Sequence, residues 1–196
     1  MKKYLFLILM IVLSGCSIKS LPPTKSYTIN TQIHIKNIAI NHQKCKSIEI
    51  NFPDSSNFIM STNMIYVKGL QKNSYYFSKW YETPNQMLND LFYAGLSQSR
   101  ICKNTYSFGL TIPSDLILKS QILDFSQKFI GNHSFSEVKI IFFLINKDNL
   151  LIAQKEFDAK VICDTNNAQG GVKALSKASK QITSKMINWL HKILDK

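Results

Sequence analysis

From Leu116 to the C-terminus the chain carries three long apolar-patterned segments, separated by two tight-turn signals and followed by a helical stripe. The first, Leu116 to Phe129, alternates at Leu116 and Leu118 and then at Ile122 and Phe125. Gly131-Asn132 marks a turn. The second, Glu137 to Ile145, is almost continuously apolar and is expected to be a central strand. Lys147-Asp148-Asn149 marks the next turn, and Leu150 to Cys163 follows in partial alternation at Leu151, Ala153, Phe157, Ala159 and Val161. Strands joined by turns this short pair antiparallel. After residues 166–171 a helix is expected to about Leu194. Its stripe is Val172, Leu175, Ala178, Ile182, Met186, Trp189 or Leu190, and Ile193; Lys173, Lys177, Lys180, Lys185 and Lys192 lie opposite.

The first half is less regular. Tyr27 to Ile40 alternates at Tyr27, Ile29, Ile33, Ile35, Ile38 and Ile40, which predicts one or two short strands. Ile48-Glu49-Ile50 is a third, ended by Pro53-Asp54. Met64 to Val67 is a strand, Lys72-Asn73-Ser74 its turn, and Tyr75 to Trp80 the returning strand. Thr83-Pro84 opens a helix, with Thr as N-cap and Pro at the first helical position. Met87, Leu88, Leu91, Phe92 and Leu96 form its apolar face, and it is expected to end near Ser99. The expected fold class is α/β (α+β): a single domain over residues 27–196, with a mostly antiparallel sheet and two helices packed on one face.

The N-terminus speaks to location. Lys2 and Lys3 precede an apolar run from Tyr4 to Leu13, then Leu13-Ser14-Gly15-Cys16. A bilayer span needs about 20 apolar residues, and a secretory h-region about 7–15, so this run reads as a signal peptide. The small pair before Cys16 resembles the lipobox of bacterial lipoproteins. That resemblance implies cleavage after residue 15 and acylation of Cys16, which becomes the membrane anchor. The competing reading is an ordinary signal peptide with an incidental cysteine. Ser17, in place of Asp, points to the periplasmic face of the outer membrane. Residues 16–26, with Pro22-Pro23, read as a semi-extended tether of at most about 36 Å.

The formal net charge is +12, or +10 without Lys2 and Lys3. Arg100 stands alone among 23 lysines, which are dispersed, and phosphate and base recognition lean on arginine forks. No nucleic-acid partner is expected; anionic lipid head groups, phospholipid among them, or an acidic protein suit the charge better, as does a merely solvated lysine surface. An oxidising compartment allows one disulfide among Cys45, Cys102 and Cys163, with the pairing open, and buried unpaired cysteines are equally compatible. Their spacings do not make a zinc site. No hydrolase, metalloprotease or nucleotide-binding motif occurs, and His34, His42, His133 and His191 are scattered. No enzyme activity, cofactor or metal is expected.

One stretch is more specific: Tyr76-Phe77-Ser78-Lys79-Trp80-Tyr81-Glu82-Thr83-Pro84 leads straight into the first helix. Together with the lipobox, the tether and the later meander, it resembles the ABC-type transport auxiliary lipoproteins, the group that includes the paraquat-inducible protein C lipoproteins. In this chain Trp80, Glu82 and Pro84 fit that family's motif, and Thr83 is inserted before the proline. The resemblance implies a non-catalytic component of a lipid-transport system, working with an MCE-domain protein and an ABC permease complex. It makes Tyr76, Trp80, Tyr81 and Glu82 candidate partner-binding residues, against the alternative that Trp80 merely plugs the sheet–helix seam. Alternation alone puts Tyr76, Ser78 and Trp80 on one face and Tyr75, Phe77, Lys79 and Tyr81 on the other. Two rival classes are an outer-membrane assembly lipoprotein and a surface-exposed lipoprotein; homo-oligomers are compatible with all three.

Overall fold

The computed structural model describes residues 21–35, 45–110 and 112–195. The elements in order are β1 (Lys25–Tyr27), β2 (Ser47–Ile50), β3 (Asp54–Ser55), β4 (Asn63–Lys68), β5 (Gln71–Trp80), α1 (Pro84–Ser99), β6 (Asn104–Ser107), β7 (Leu116–Ile130), β8 (His133–Asn146), β9 (Leu151–Ile162) and α2 (Ala168–Leu194). The signal segment, Cys16 and the expected strand over Ile38 and Ile40 lie outside the described residues.

β7 is the spine. One edge pairs with β8 along nearly its whole length, and β8 pairs with β9, giving the expected antiparallel meander. The other edge is shared in succession by three strands, all parallel to it: β2 opposite Leu116–Leu118, β3 opposite Gln121–Ile122, and β4 opposite Gln127–Phe129. β6 continues the sheet beyond β2, and β5 and β1 beyond β4. The sheet is therefore mixed. Its long ladders are antiparallel, and the short ones are mostly parallel.

Both helices cover one face, as the apolar patterns require. Val138, Ile140, Phe142 and Leu144 of β8 are fully buried on that side. Phe142 meets Phe92 of α1 at 5.2 Å and Phe157 of β9 at 6.2 Å, and Phe157 meets Trp189 of α2. The helices touch at Gly95: a Cβ there would lie 2.6 Å from the Thr183 methyl, so only glycine permits this approach. Thr83 caps α1 by accepting from the Gln86 amide, and Asn167 caps α2 by accepting from Gly170.

Three expectations change. The β4–β5 turn is Gly69-Leu70, not Lys72–Ser74, because Gly69 adopts φ +60° and lets Lys68 pair with Gln71. Past Tyr27 the chain leaves the sheet, yet Ile29 and Ile33 are buried in the core without a strand. β3 and β6 were not expected; two to four residues carry too little pattern to be seen, and the neighbouring strands hold them.

Candidate functional site

The segment singled out by its aromatics splits by burial. Trp80 is 1% exposed and packs on Phe125 at 5.6 Å, whereas Tyr76 and Tyr81 are 78% and 75% exposed. Glu82 is exposed too. Strict alternation would have put Tyr76 and Trp80 on one face. The β4–β5 ladder breaks it: two steps along β4, from Asn63 to Ile65, oppose five along β5, from Lys79 to Ser74. The odd surplus reverses the facing. Tyr75 and Trp80 thus both turn toward the core, and Tyr76 turns away. Trp80 is a core residue, and of the four candidate partner-binding residues Tyr76, Tyr81 and Glu82 are exposed.

Tyr75 closes the end of the sheet nearest the start of α2. Its ring lies 4.9 Å from Tyr66, which meets Phe129 edge-on. Its hydroxyl donates to Gln127 Oε1 at 2.9 Å. Gln127 Nε2 donates to Ser134 Oγ, and Ser134 donates to Asn166 Oδ1, each at 2.8 Å. A buried polar chain therefore crosses from β5 through β7 and β8 to the loop before α2. Gly171 makes room for it, since a Cβ would fall 2.2 Å from Gln127 Oε1. Above this floor is an open cleft of about 380 Å³ lined by Tyr66, Lys68, Ser74, Tyr75, Tyr76, Phe129 and Asn166. A second groove, about 370 Å³, is lined by Pro22, Pro23, Tyr75, Phe77 and residues 167–169.

Burial, with smaller contributions from Cys163 and Tyr66, holds the Tyr75 phenol well above its usual pKa, so it is neutral and a hydrogen-bond donor at physiological pH. Among the described residues no three His, Cys, Asp or Glu side chains gather as metal ligands. On the face away from the helices, Lys128 pairs with Asp124 at 2.6 Å and with Glu137, and Lys160 reaches Glu137 at 3.4 Å. Burial lowers the Lys128 pKa, but the two carboxylates outweigh it and raise it overall. These charges pair with one another.

Cys45 and Cys102 form a disulfide, and Cys163 is buried and free. The bridge ties the approach to β2 to the residues just after α1. The sequence left Cys16 as the anchor; it falls outside the described residues. Gln127, Ser134 and Asn166 were missed, because three dispersed polar residues give no sequence signal until the hairpins bring them together.

No family model matches the chain, and no curated protein matches it in sequence. Solved structures do. Protein XCC0632 from Xanthomonas campestris, a DUF330 protein, superposes with a TM-score of 0.78 at 16% identity, over 87% of this chain and 96% of that one. An uncharacterized protein superposes at 0.66 with 13% identity, over 86% and 99% of the two chains. The hypothetical protein CT253 from Chlamydia trachomatis gives 0.51 at 8% identity, over 76% and 98%. At these identities the likeness is one of fold: the chain shares its sheet-and-two-helix architecture with all three.

Proposed function

We propose that this chain is a lipoprotein anchored by Cys16 on the periplasmic face of the outer membrane, and a non-catalytic auxiliary component of an MCE/ABC-type lipid-transport system. The observation that carries the reading is the shortness of the link between motif and fold. Only residues 17–24 separate the lipobox cysteine from β1, so an acylated Cys16 holds the body of the protein against its membrane. Two or more acyl chains make such an anchor stable, whereas one holds marginally. No described helix is long and apolar enough to cross a membrane, so among the described residues nothing else would serve as a helical anchor.

The transport role rests on the resemblance of the Trp80-Glu82-Pro84 segment and on what surrounds it. Tyr76, Tyr81 and Glu82 offer exposed aromatic and acidic contacts, and tyrosine is favoured at protein interfaces. The clefts beside Tyr75 supply aromatic and hydrogen-bonding surface without a nucleophile–base pair. Cross-linking in intact cells followed by capture of the acylated protein tests the role. The expected catch is an MCE-domain protein, with recovery reduced by Tyr81→Ala. Recovery of an outer-membrane barrel alone would replace this role by one in outer-membrane assembly. Digestion of the domain by protease added to intact cells would place it on the cell surface and end both readings.

A further inference from the structure

β1 runs parallel to β5 with Lys25 opposite Ser78, so the chain before Lys25 descends toward the start of β5. That is the end of the sheet with the β4–β5 turn. The β7–β8 turn lies at the same end, because Lys68 pairs with Phe129, and so does the exit of β9, because Phe135 pairs with Ile162. This end carries an unusual set of side chains. Leu70 is fully exposed at 105%, Ile162 is 79% exposed, Leu21 70% and Ile130 68%. They are the four most exposed large aliphatic side chains among the described residues. All four stand at turns, strand ends or the incoming tether, where no core needs them.

The charge is one-sided as well. Segments 66–76, 127–136 and 160–170 form this end, and they hold four lysines and one acid, Asp164. Glu137, just above, pairs with two of them, Lys128 and Lys160. Lys68 and Lys72 remain among the aliphatic tips, and Lys72 also lies over the Phe58 ring; Lys25, opposite Ser78, stands farther along the sheet.

We infer that this end of the domain rests on the lipid bilayer, with the four aliphatic tips in the head-group–acyl boundary and Lys68 and Lys72 on anionic head groups. Apolar side chains ringed by lysine are the composition of an interfacial contact. The inference rests on the acylated Cys16 proposed above, and that anchor selects a bilayer over a protein as the occupant. Five residue steps hold Leu21 within about 18 Å of Cys16, so the end bearing Leu21 cannot leave the surface. Tyr76 then sits near the interface, a depth that suits tyrosine. β7, standing on this end, carries the opposite end of the sheet up to about 50 Å into the periplasm.

The test uses the acylated full chain in vesicles of phosphatidylcholine with phosphatidylglycerol, with or without bromine on the acyl chains. Native Trp80 and Trp189 are buried and serve as background. A tryptophan is introduced at the tether end by Leu70→Trp or at the opposite end by Leu150→Trp. Brominated lipid is expected to remove most of the added emission of Leu70→Trp and little of that of Leu150→Trp, with less quenching when phosphatidylglycerol is omitted. Equal responses in protein that floats with the vesicles would overturn the docking while leaving the anchor intact. A blue-shifted Leu70→Trp emission that ignores bromine would mean that a partner protein or a second copy covers the tips, and would also overturn it. Protein that fails to float would remove the anchor and the inference with it.

Discussion

Trp80 and Tyr76 are four residues apart in one strand and have opposite fates. Trp80→Ala should cost about 3–5 kcal/mol, the usual loss for a large buried aromatic. Tyr76→Ala and Tyr81→Ala should each stay within about 0.5 kcal/mol, as exposed changes do. Trp80→Phe should cost less than Trp80→Ala, because it keeps most of the ring volume and the buried Nε1 has no hydrogen-bond partner among the described residues to lose. Urea melts give all four values, and a Tyr76→Ala loss as large as that of Trp80→Ala would contradict the facing of β5. That facing was not legible in the sequence: alternation counts residues, and the irregular β4–β5 ladder adds an odd number of them. The core role of Trp80 was legible as an alternative, since a bulky aromatic just before a helix commonly fills the seam. Tyr75 gives a pH signature. Near neutral pH, Tyr75→Phe should cost about 1 kcal/mol for the lost hydrogen bond to Gln127. Above pH 10 an unfolded tyrosine releases its proton while Tyr75 keeps it, so rising pH favours unfolding of the wild type only. The stability gap between the two proteins should therefore narrow above pH 10, and a widening gap would contradict the buried neutral phenol.

Elements long enough to repeat their pattern were read from the sequence closely: α1, α2 and the β7–β9 meander fall within a few residues of expectation. Each buries one stripe over many residues, and periodicity reports that directly. The parallel additions to β7 were not readable, because their pairing depends on one fifteen-residue strand offering a single edge to three short partners. α2 tests the helix–sheet seam. Met186 is fully buried and Lys177 exposed, so Met186→Asp should cost several kcal/mol and Lys177→Ala within about half a kcal/mol. Equal losses in urea would overturn the assigned face. The Cys45–Cys102 bridge closes a loop of 57 residues between the start of β2 and the end of α1. Cys45→Ser with Cys102→Ser should lower stability by about 2–5 kcal/mol, and an unchanged melt would show that the bridge does not constrain the unfolded chain.

At the scale of the whole molecule, charge, tether and exposed tips act together. The sequence carries a lipobox-like segment and an excess of lysine, but does not reveal that lysines and aliphatic tips share one end of the sheet. That grouping arises from strands distant in sequence ending side by side. The fold is shared with proteins at 8–16% identity, so the architecture persists where sequence likeness has nearly gone. The proposed function holds or falls with whether this body is held at a membrane through Cys16. The most direct measurement is the intact mass of the protein extracted from membranes. The expected mass is that of a chain beginning at Cys16 and carrying two or three acyl chains. A retained Met1, or an unmodified Cys16 thiol, would contradict it.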